Sequence, residues 1–419
     1  MKVLWFANTP GLGQHFLNLK SVTGGWITSL QAEMEKSTAC KLGYVFYSDQ
    51  KIAPFEFNGT SYFPVQRVAH RKRKRFFHRI AGKTEYDENI NSFLSIVASF
   101  KPDIINIHGT ENSFGLILHS ITTIPAVITL QGNLTVYAKK YFSGIKKPGL
   151  SSQLLSGNPF FTLDFKQFVK RSGIEKEILK KAKYIFGRTD WDRRICQVLA
   201  RGANYFHMEE VMRPTFYKMK WQPTKNPAPV FFTTSTNSLY KGFEMVVETA
   251  LLLVEQNIRF SWQVAGLTEN DPLVRLIKKS SGVNKLEEIN IRLLGQLSEQ
   301  TLADYLMHAD VYVQVSHIEN SPNSVCEAML LGMPIVASFA GGTSSLLVDG
   351  ETGTLVQDGD PYALAGALIE MVELPLDAIR LANKAREVAH KRHNKADILS
   401  HLLLTYGNII KSHHAQQFS

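Results

Sequence analysis

The sequence predicts an α/β protein built from two doubly wound parallel sheets. The prediction rests on a length of 419 residues, on short apolar runs that alternate with longer amphipathic segments, and on a proline-rich interruption near the middle. A chain of this length corresponds to two or three domains. The alternation is typical of parallel sheets with helices on both faces. The interruption, residues 213–229, holds four prolines and shows no hydrophobic periodicity, which is typical of a connection between domains.

Short runs rich in β-branched and aromatic residues are predicted to be buried parallel strands. In the first half they are residues 2–8, 42–47, 103–108, 126–130 and 184–187, with helical patterns at 25–36, 87–100 and 166–182. In the second half they are residues 230–235, 260–266, 290–295, 310–316, 334–338 and 353–357, with helices at about 243–256, 271–282, 298–308 and 323–332.

These patterns define the expected domains. We expect an N-terminal domain over residues 1–212, a linker over 213–228 and a C-terminal domain over 229–393. A final helix, at about 394–419, is expected to pack back on the N-terminal domain. Ligands of open α/β sheets bind beyond the carboxyl ends of the strands, so we expect the two domains to face each other across a cleft that holds the site.

The cysteines and the apolar runs indicate the cellular compartment in which the protein is expected. Cys40, Cys196 and Cys326 lie far apart and form neither a disulfide framework nor a zinc pattern. A reducing compartment is therefore expected. No apolar run approaches the ~18 residues of a membrane-spanning helix. We expect a cytoplasmic protein, soluble or attached peripherally to the inner face of the membrane.

The net charge of +10 is partly concentrated in residues 67–79, which hold seven Arg or Lys around two adjacent phenylalanines. Each such charge near an anionic bilayer contributes about 1 kcal/mol, so this stretch predicts contact with an anionic membrane surface. The alternative is a solvated loop. A nucleic-acid-binding protein is a rival reading, but the basic residues do not belong to a known nucleic-acid module, and we expect no nucleic-acid partner.

The stretch with the clearest chemistry is "HIENSPNSVCEAMLLGMP", residues 317–334. It places Glu319 after a predicted strand and Glu327 about one turn inside a predicted helix, which Asn323 or Ser324 can start and Gly332 can end. Free backbone amides at a helix start bind phosphate well.

This arrangement fits a nucleotide-sugar. Glu319 would bind sugar hydroxyls, the amides of Asn323, Ser324 and Val325 would bind phosphate, and Glu327 would bind ribose hydroxyls. The alternative for Glu327 is that its charge only complements the helix dipole.

Together with "AMLLGMPIVAS" and the strand before it, this stretch resembles the E-x7-E signature of family 4 (group 1) retaining glycosyltransferases, which have the GT-B fold. The resemblance is specific over most of residues 230–375 and patchy before them. Further matches are "TGGW" (23–26), "INIHG" (105–109), "YIFGRTDWDRR" (184–194), "YKGFEMVVETALLL" (240–253), "IRLLGQLSEQTLADYLMHADVYVQVS" (291–316) and "AGGTSSLLVDGETGTLV" (340–356).

The resemblance implies roles for several residues. Lys241 would neutralise the diphosphate leaving group, and Glu319 and His108 would lie beside the reacting sugar. The glycines Gly24 and Gly25 would allow close backbone approach, and the backbone near Gly295 and Gln296 would contact the base. The family needs no cofactor and no metal, so only a donor substrate is expected.

One departure from the family lies near Ser235, where a second phosphate-binding Arg is usual and this chain has none between residues 226 and 240. Arg188, Arg194, or the hydroxyls of Ser235 and Thr236 are the candidates to replace it. Two DxD patterns, Asp190–Asp192 and Asp358–Asp360, are interpreted as a helix cap made by Asp190 and as a turn.

The sequence therefore predicts a retaining glycosyltransferase of the hexosyltransferase class. It would move a sugar from a UDP- or GDP-sugar to an acceptor hydroxyl on a glycan or a lipid-linked glycan, in cell-surface polysaccharide or lipopolysaccharide synthesis. The alternatives are a degenerate, binding-only protein of the same fold and a sugar-nucleotide epimerase.

Overall fold

The computed structural model describes residues 1–19, 25–67, 85–144, 160–224 and 226–417. The chain divides into two compact units. The first unit is Met1–Thr135, Gln167–Val211 and His393–Ser419, and the second is Val136–Lys166 and Met212–Arg392. This division differs from the expected boundaries, because residues 136–166 and the expected linker, 213–228, both belong to the second unit.

The first unit is built on an eight-stranded sheet with the order β3-β4-β2-β1-β5-β6-β7-β8. All neighbours are parallel except β3 and β4. The strands are β1 (Lys2–Ala7), β2 (Lys41–Ser48), β3 (Phe55–Phe57), β4 (Thr60–Gln66), β5 (Ile104–His108), β6 (Ala126–Thr129), β7 (Tyr184–Gly187) and β8 (Asn204–His207).

The helices of the first unit cover the sheet, and the last of them returns from the end of the chain, as expected for a helix at about 394–419. They are Gly13–Phe16, Gly25–Glu35, Glu85–Phe100, Asp190–Leu199 and Lys395–Gln417, together with a 3₁₀ helix at Ser113–His119. Two further helices, Leu134–Lys140 and Phe160–Lys181, include residues of both units.

Three strands of this sheet were not predicted. β3 and β4 form a hairpin whose turn is Asn58-Gly59, with φ of 50° and 79°. Asn-Gly is a strong hairpin signal, but Pro64 inside β4 conceals the strand, since proline is unusual within a sheet. The other missed strand, β8, lies at the edge of the sheet and is partly exposed, so it lacks the apolar pattern of the central strands.

The second unit is built on a six-stranded, parallel sheet with the order β11-β10-β9-β12-β13-β14. Every strand predicted for this part of the chain is present to within two residues at each end. The strands are β9 (Val230–Thr234), β10 (Ser261–Ala265), β11 (Ile291–Gly295), β12 (Val311–Gln314), β13 (Ile335–Phe339) and β14 (Thr354–Gln357). The helices are Pro214–Lys218, Phe243–Glu255, Pro272–Ser281, Glu299–His308, Asn323–Leu331, Pro361–Glu373 and Pro375–Arg392, with 3₁₀ turns at Leu239–Lys241, Leu286–Ile289 and Thr343–Ser345.

The central strands are buried on both faces, which explains their continuous apolar sequences. Residues 3–7 of β1 are fully buried, as are most residues of β5 and β12. Parallel strands covered by helices on both sides have this composition. The predicted fold, with two doubly wound parallel sheets, is confirmed.

Each sheet has a switch point, where the strand order turns from one direction to the other. In the first unit it lies between β1 and β5, and in the second unit between β9 and β12. Ligands of open α/β sheets bind at the carboxyl ends of such strands. The residues that follow β5, β9 and β12 are therefore the first candidates for function.

Among the described residues, no helix has the length and apolar character needed to cross a membrane. The basic stretch 67–79 lies outside the described residues except for Arg67. All three cysteines are free thiols.

Candidate active site

The switch point of the second unit brings Lys241 and Glu319 together. Lys241 ends the 3₁₀ turn after β9, and Glu319 lies in the loop after β12. The Lys241 Nζ lies 2.5 Å from Oε1 of Glu319, and the Ser316 hydroxyl donates to the same oxygen at 2.8 Å. The two predicted catalytic residues of this unit, 78 positions apart in sequence, thus form one ion pair.

The glycine after Lys241 makes this contact sterically feasible. Gly242 has φ of 71°, and a Cβ added there would lie 2.0 Å from the carbonyl oxygen of Val315. Only glycine allows this backbone approach. The Lys-Gly pair therefore packs the lysine turn against the end of β12, immediately before the loop that carries Glu319.

Lys241 remains a cation in this setting. Burial by itself would lower the pKa of Lys241, but the neighbouring Glu319 carboxylate outweighs it and the pKa is raised. An ammonium group has three donor hydrogens, and Glu319 accepts one of them. The lysine side chain is 25% exposed, so part of it faces solvent.

The helix between the two glutamates is Asn323–Leu331, and it ends at Gly332 with φ of 75°. Its N-cap is Pro322, which has no side chain that could accept a hydrogen bond from the first turn. One expectation is wrong here: the Val325 amide is not free, because it donates to the Pro322 carbonyl at 3.0 Å. Of the three amides predicted to bind phosphate, only those of Asn323 and Ser324 therefore remain candidates.

Glu327 lies inside this helix and is held by Arg213. The Nε and Nη2 atoms of Arg213 donate to Oε1 and Oε2 of Glu327 at 2.6 and 2.7 Å. Glu327 is 3% exposed, and burial raises its pKa while the guanidinium counteracts that effect. A carboxylate accepts about four hydrogen bonds, so this two-pronged contact leaves capacity for ribose hydroxyls.

Sequence reasoning missed Arg213 because it falls in the segment interpreted as a linker. A signal was nevertheless present, since a glutamate predicted inside a buried helix requires a cation nearby. Arg213 precedes Pro214, which starts the short helix Pro214–Lys218, and the guanidinium also lies over the Phe216 ring.

A second missed residue is Tyr312 on β12. Its buried hydroxyl lies 2.8 Å from the Thr234 hydroxyl and also hydrogen-bonds with Ser324. Burial raises the pKa of Tyr312 to about 12, so the group stays protonated. The Tyr312 hydroxyl connects the end of β9 with the start of the helix Asn323–Leu331, called the motif helix below, and fixes the distance between them.

A third missed feature is a buried charge network beside Glu319. The His317 ring contacts Glu244 through Nε2 and Asp358 through Nδ1, the latter at 2.5 Å. Lys140 also pairs with Asp358 at 3.1 Å. Burial alone would lower the pKa of His317, but Asp358 and Glu244 outweigh it and raise the pKa to about 9. His317 is therefore a buried cation at neutral pH.

This network predicts a pH-dependent stability. The pKa of His317 is higher in the folded protein than the ordinary value of about 6.5, so its contribution is complete below pH ~6.5 and is lost as the pH rises through 9. We expect the free energy of unfolding to fall by roughly 2–3 kcal/mol over this range. Urea denaturation at several pH values measures the effect.

The matched variants for this prediction are His317→Gln and His308→Gln. His308 is an exposed histidine of the same unit, and its loss should leave the pH dependence unchanged. His317→Gln should be less stable at pH 6 and nearly flat up to pH 9. An unaltered slope in His317→Gln would show that the network does not set the pH dependence.

The other predicted donor-binding residues lie at the ends of strands or helices. Ser235 follows β9, and its hydroxyl points to the Thr236 carbonyl at 3.5 Å. Gly295 ends β11, where its amide donates to Leu267, and Gln296 beside it is exposed. Gly25 starts the helix Gly25–Glu35, and Gly24 lies outside the described residues. Ser235 and Gly295 thus lie at the carboxyl ends of strands, and Gly25 lies at a helix start.

In the first unit, His108 ends β5 at the switch point. It is 1% exposed and lies edge-on to the rings of Trp5 and Trp26, at centroid distances of 4.5 and 5.6 Å. Burial, assisted by the charge of Arg188, lowers the pKa of His108 to about 3. The imidazole is therefore neutral and can both donate and accept a hydrogen bond.

Arg188 and Arg194, the two arginines predicted as replacements for the missing phosphate-binding Arg, differ in exposure. Arg188 is 3% exposed and pairs with Glu210 inside the first unit, with Nη1 and Oε1 at 2.5 Å. Arg194 is exposed on the helix Asp190–Leu199. Among the described residues of the second unit, Lys241 and Arg213 are the cations that contact the two motif glutamates, and Arg213 was not among the candidates.

The DxD patterns have structural roles. Thr189, and not Asp190 as expected, caps the helix Asp190–Leu199, together with Asp192. Asp358 binds His317, and Asp360 caps the helix Pro361–Glu373. Within the described ranges, no group of three or more His, Cys, Asp or Glu side chains is placed to hold a metal ion.

Comparison with known protein families and sequences identifies relatives of the second unit. Residues 228–373 match the family described as Glycosyl transferases group 1. The amylovoran biosynthesis glycosyltransferase AmsK of Erwinia amylovora is 26% identical over 161 residues, 37% of this chain and 39% of that protein. The putative colanic acid biosynthesis glycosyltransferase WcaL of Escherichia coli K12 is 26% identical over 183 residues, 42% of this chain and 44% of that protein. The chain thus matches less than half the length of these relatives.

Solved structures resemble the chain over almost its whole length. A sucrose-phosphate synthase from Thermosynechococcus elongatus has a TM-score of 0.74 at 16% identity and covers 98% of this chain and 100% of its own. Anabaena HepE, solved in complex with UDP and glucose, has a TM-score of 0.64 at 14% identity and covers 97% of this chain and 99% of its own. At these identities the resemblance shows the fold, which is the GT-B fold predicted above.

Proposed function

We propose that this chain, whose residues 228–373 match the group 1 glycosyltransferases, transfers a sugar from a nucleotide diphosphate donor to an acceptor hydroxyl with retention of configuration. The observation that carries the proposal is the contact between Lys241 and Glu319 at the switch point of the second unit. It places a cation and a hydroxyl-binding carboxylate beside a helix start that has no side-chain cap.

The site residues are suited to three parts of the donor, which are the diphosphate, the sugar and the ribose. The Lys241 ammonium and the first amides of the helix Asn323–Leu331 are suited to the diphosphate. Glu319 is suited to sugar hydroxyls, and Glu327, held by Arg213, to ribose hydroxyls. The nucleotide of the HepE complex is UDP, which favours a UDP-sugar as the donor of this chain, with a GDP-sugar as the alternative.

The chemistry follows from charge and position. As the glycosidic bond to the β-phosphate breaks, negative charge grows on the leaving diphosphate, and Lys241 stabilises it. In the retaining mechanism we propose, the acceptor hydroxyl attacks from the face that the leaving group departs from. A phosphate oxygen then takes the acceptor proton, so these steps call for neither a metal nor a cofactor.

The names of the relatives favour an acceptor in polysaccharide synthesis. AmsK and WcaL are named for amylovoran and colanic acid biosynthesis, both polysaccharides. A glycan, or a glycan linked to a lipid at an anionic membrane surface, is therefore the proposed acceptor. A binding-only protein would bind the donor without turnover, and an epimerase would convert it without an acceptor.

Calorimetric titration of two variants tests the donor site. Glu327→Ala should weaken binding of the bare nucleoside diphosphate by ~1–3 kcal/mol, the value of charged hydrogen bonds. Glu319→Ala should leave the bare nucleotide almost unaffected and weaken the nucleotide-sugar. Equal losses for both ligands in both variants would contradict the assignment.

A further inference from the structure

A segment distant in sequence packs against the turn that carries Lys241. The segment is residues 136–144, called the strap below, and it belongs to the second unit together with that turn. It includes the end of the helix Leu134–Lys140 and the turn after it. The strap lies outside residues 228–373, which match the group 1 glycosyltransferases, so the family match gives it no role.

The first contact of the strap is aromatic. The ring of Tyr240, the residue before Lys241, lies 5.4 Å from the ring of Tyr137 and 6.3 Å from the ring of Tyr141, measured between centroids. Tilted rings at such distances attract each other. Both strap tyrosines are buried, and the Lys241 Nζ lies 6.0 Å from the centre of the Tyr240 ring. The strap therefore restrains the residue that adjoins the catalytic lysine.

The second contact is made by the strap backbone. Gly144 has φ of 76°, and a Cβ added there would lie 2.1 Å from Oε1 of Glu244 and 2.6 Å from Nε2 of His317. A side chain at this position would clash with both groups, and the positive φ also favours glycine. The end of the strap thus lies directly on the buried pair that His317 forms with Glu244.

The third contact is an ion pair. Nζ of Lys140 lies 3.1 Å from Oδ2 of Asp358, and Oδ1 of the same carboxylate lies 2.5 Å from Nδ1 of His317. The Asp358 side chain is only 12% exposed, so solvent screens this contact less than it screens a surface pair. Asp358 therefore joins the strap to His317 through its two oxygens.

His317 connects these contacts to the catalytic ion pair. Its backbone amide donates to the Tyr240 carbonyl at 2.9 Å, and it precedes Glu319 by two residues in the loop after β12. The strap contacts the Lys241 turn through Tyr240 and the Glu319 loop through His317. It therefore supports both partners of the pair between Lys241 and Glu319.

The strap is itself supported by the helix Phe160–Lys181. The Tyr141 hydroxyl donates to Oδ2 of Asp164 at 2.5 Å. The rings of Phe142 and Phe165 lie 4.9 Å apart, edge to face. These contacts fix the strap on the side of Tyr141 that faces this helix, so the strap can transmit a defined position to the Lys241 turn.

We propose that the strap positions Lys241 and Glu319 for sugar transfer, with Tyr137 and Gly144 as positioning residues that act through Tyr240 and His317. The catalytic consequence rests on the proposed function, whereas the support of the Lys241 turn rests on the contacts alone. A displacement of about 1 Å at a reacting group can cost ~100-fold in rate. Loss of the strap contacts should therefore reduce kcat.

The variant that tests the support is Gly144→Ala, which adds a clashing Cβ and changes no residue of the Lys241 turn. Amide hydrogen exchange, followed by mass spectrometry of the full chain, measures local opening. Amides of the strap and of the turn Leu239–Lys241 should exchange at least ~10-fold faster in Gly144→Ala than in the wild-type protein, because the clash favours the open state.

The matched control is Gly282→Ala. Gly282 also belongs to the second unit and has φ of 73°. Within the part of the chain that the structure describes, no atom lies within 4 Å of a Cβ added there. The control therefore introduces the same backbone strain without the clash, and its Lys241 turn should exchange like that of the wild-type protein.

Kinetics test the catalytic consequence. With a nucleotide-sugar and an acceptor, Gly144→Ala should lower kcat at least ~10-fold and change the KM of the donor less than about threefold, since positioning acts mainly on the transition state. Circular dichroism gives the folded fraction by which each rate is corrected. Tyr137→Ala should show the same loss, and Tyr137→Phe, which keeps the ring, should restore most of kcat.

Each outcome decides the question. Exchange of the Lys241 turn in Gly144→Ala that equals exchange in Gly282→Ala would overturn the proposal, whether or not the chain is a transferase. Faster exchange with unchanged kcat would show that the strap is structural only and would overturn its catalytic role. Faster exchange in a protein that turns over no nucleotide-sugar would support the hold of the strap on the turn and reject the proposed function. The two inferences therefore fail separately.

Discussion

Replacing Lys241 with alanine should reduce the rate of sugar transfer at least ~100-fold at saturating donor. A preorganised charge at a developing anion is worth a few kcal/mol in catalysis. Lys241 is a cation at the switch point of the second unit, and it is held 2.5 Å from Glu319. The loss should appear in kcat, because the charge on the diphosphate is greatest in the transition state.

Release of nucleoside diphosphate in the presence of acceptor measures this rate. Lys278→Ala is the matched control, since Lys278 is also ion-paired in the second unit, with Glu269 at 2.9 Å, on the helix Pro272–Ser281. The control should retain wild-type turnover. Turnover of Lys241→Ala equal to that of the control would remove Lys241 from the mechanism.

Removing Arg213 should destabilise the protein by about 3 kcal/mol, because it leaves the Glu327 carboxylate buried without its partner. Arg213→Met keeps much of the side-chain volume and removes only the charged contact. The double variant Arg213→Met/Glu327→Leu should recover most of the loss, since apolar replacement of a buried ion pair is often neutral. Urea denaturation of the wild-type, single and double variants gives the coupling energy.

Arg380→Met serves as the control for this cycle. Arg380 pairs with Asp377 on the helix Pro375–Arg392, but both side chains are more than half exposed. Such pairs contribute at most ~1 kcal/mol. If Arg213→Met were no less stable than Arg380→Met, or if the effects of Arg213 and Glu327 were simply additive, the ion pair would not hold the motif helix.

The fold could be predicted from the sequence because its signals are local. Buried parallel strands such as β1 and β12 have continuous apolar sequences, and Gly332 ends the motif helix at the expected position. The hairpin of β3 and β4 escaped prediction because Pro64 interrupts its pattern. The grouping of residues 136–166 with the second unit depends on contacts distant in sequence, which no local pattern records.

The candidate site was predicted from two sources. Glu319 and Glu327 follow from the spacing of one motif, and Lys241 and His108 follow from the family resemblance. The partners of these groups do not, because Arg213 lies 114 residues from Glu327 and Glu244 lies 73 residues from His317.

The measurement that tests the donor site most directly is the titration of the wild-type protein with UDP, GDP and their sugars, followed by calorimetry or by thermal unfolding. Either UDP or GDP should bind more tightly than the other. The corresponding nucleotide-sugar should bind through both its nucleotide and its sugar. A ligand at 100 times its Kd stabilises the folded state by roughly 2.7 kcal/mol, which raises Tm by several degrees. If no nucleoside diphosphate or nucleotide-sugar binds the wild-type protein or raises its Tm, the switch point of the second unit is not a donor site.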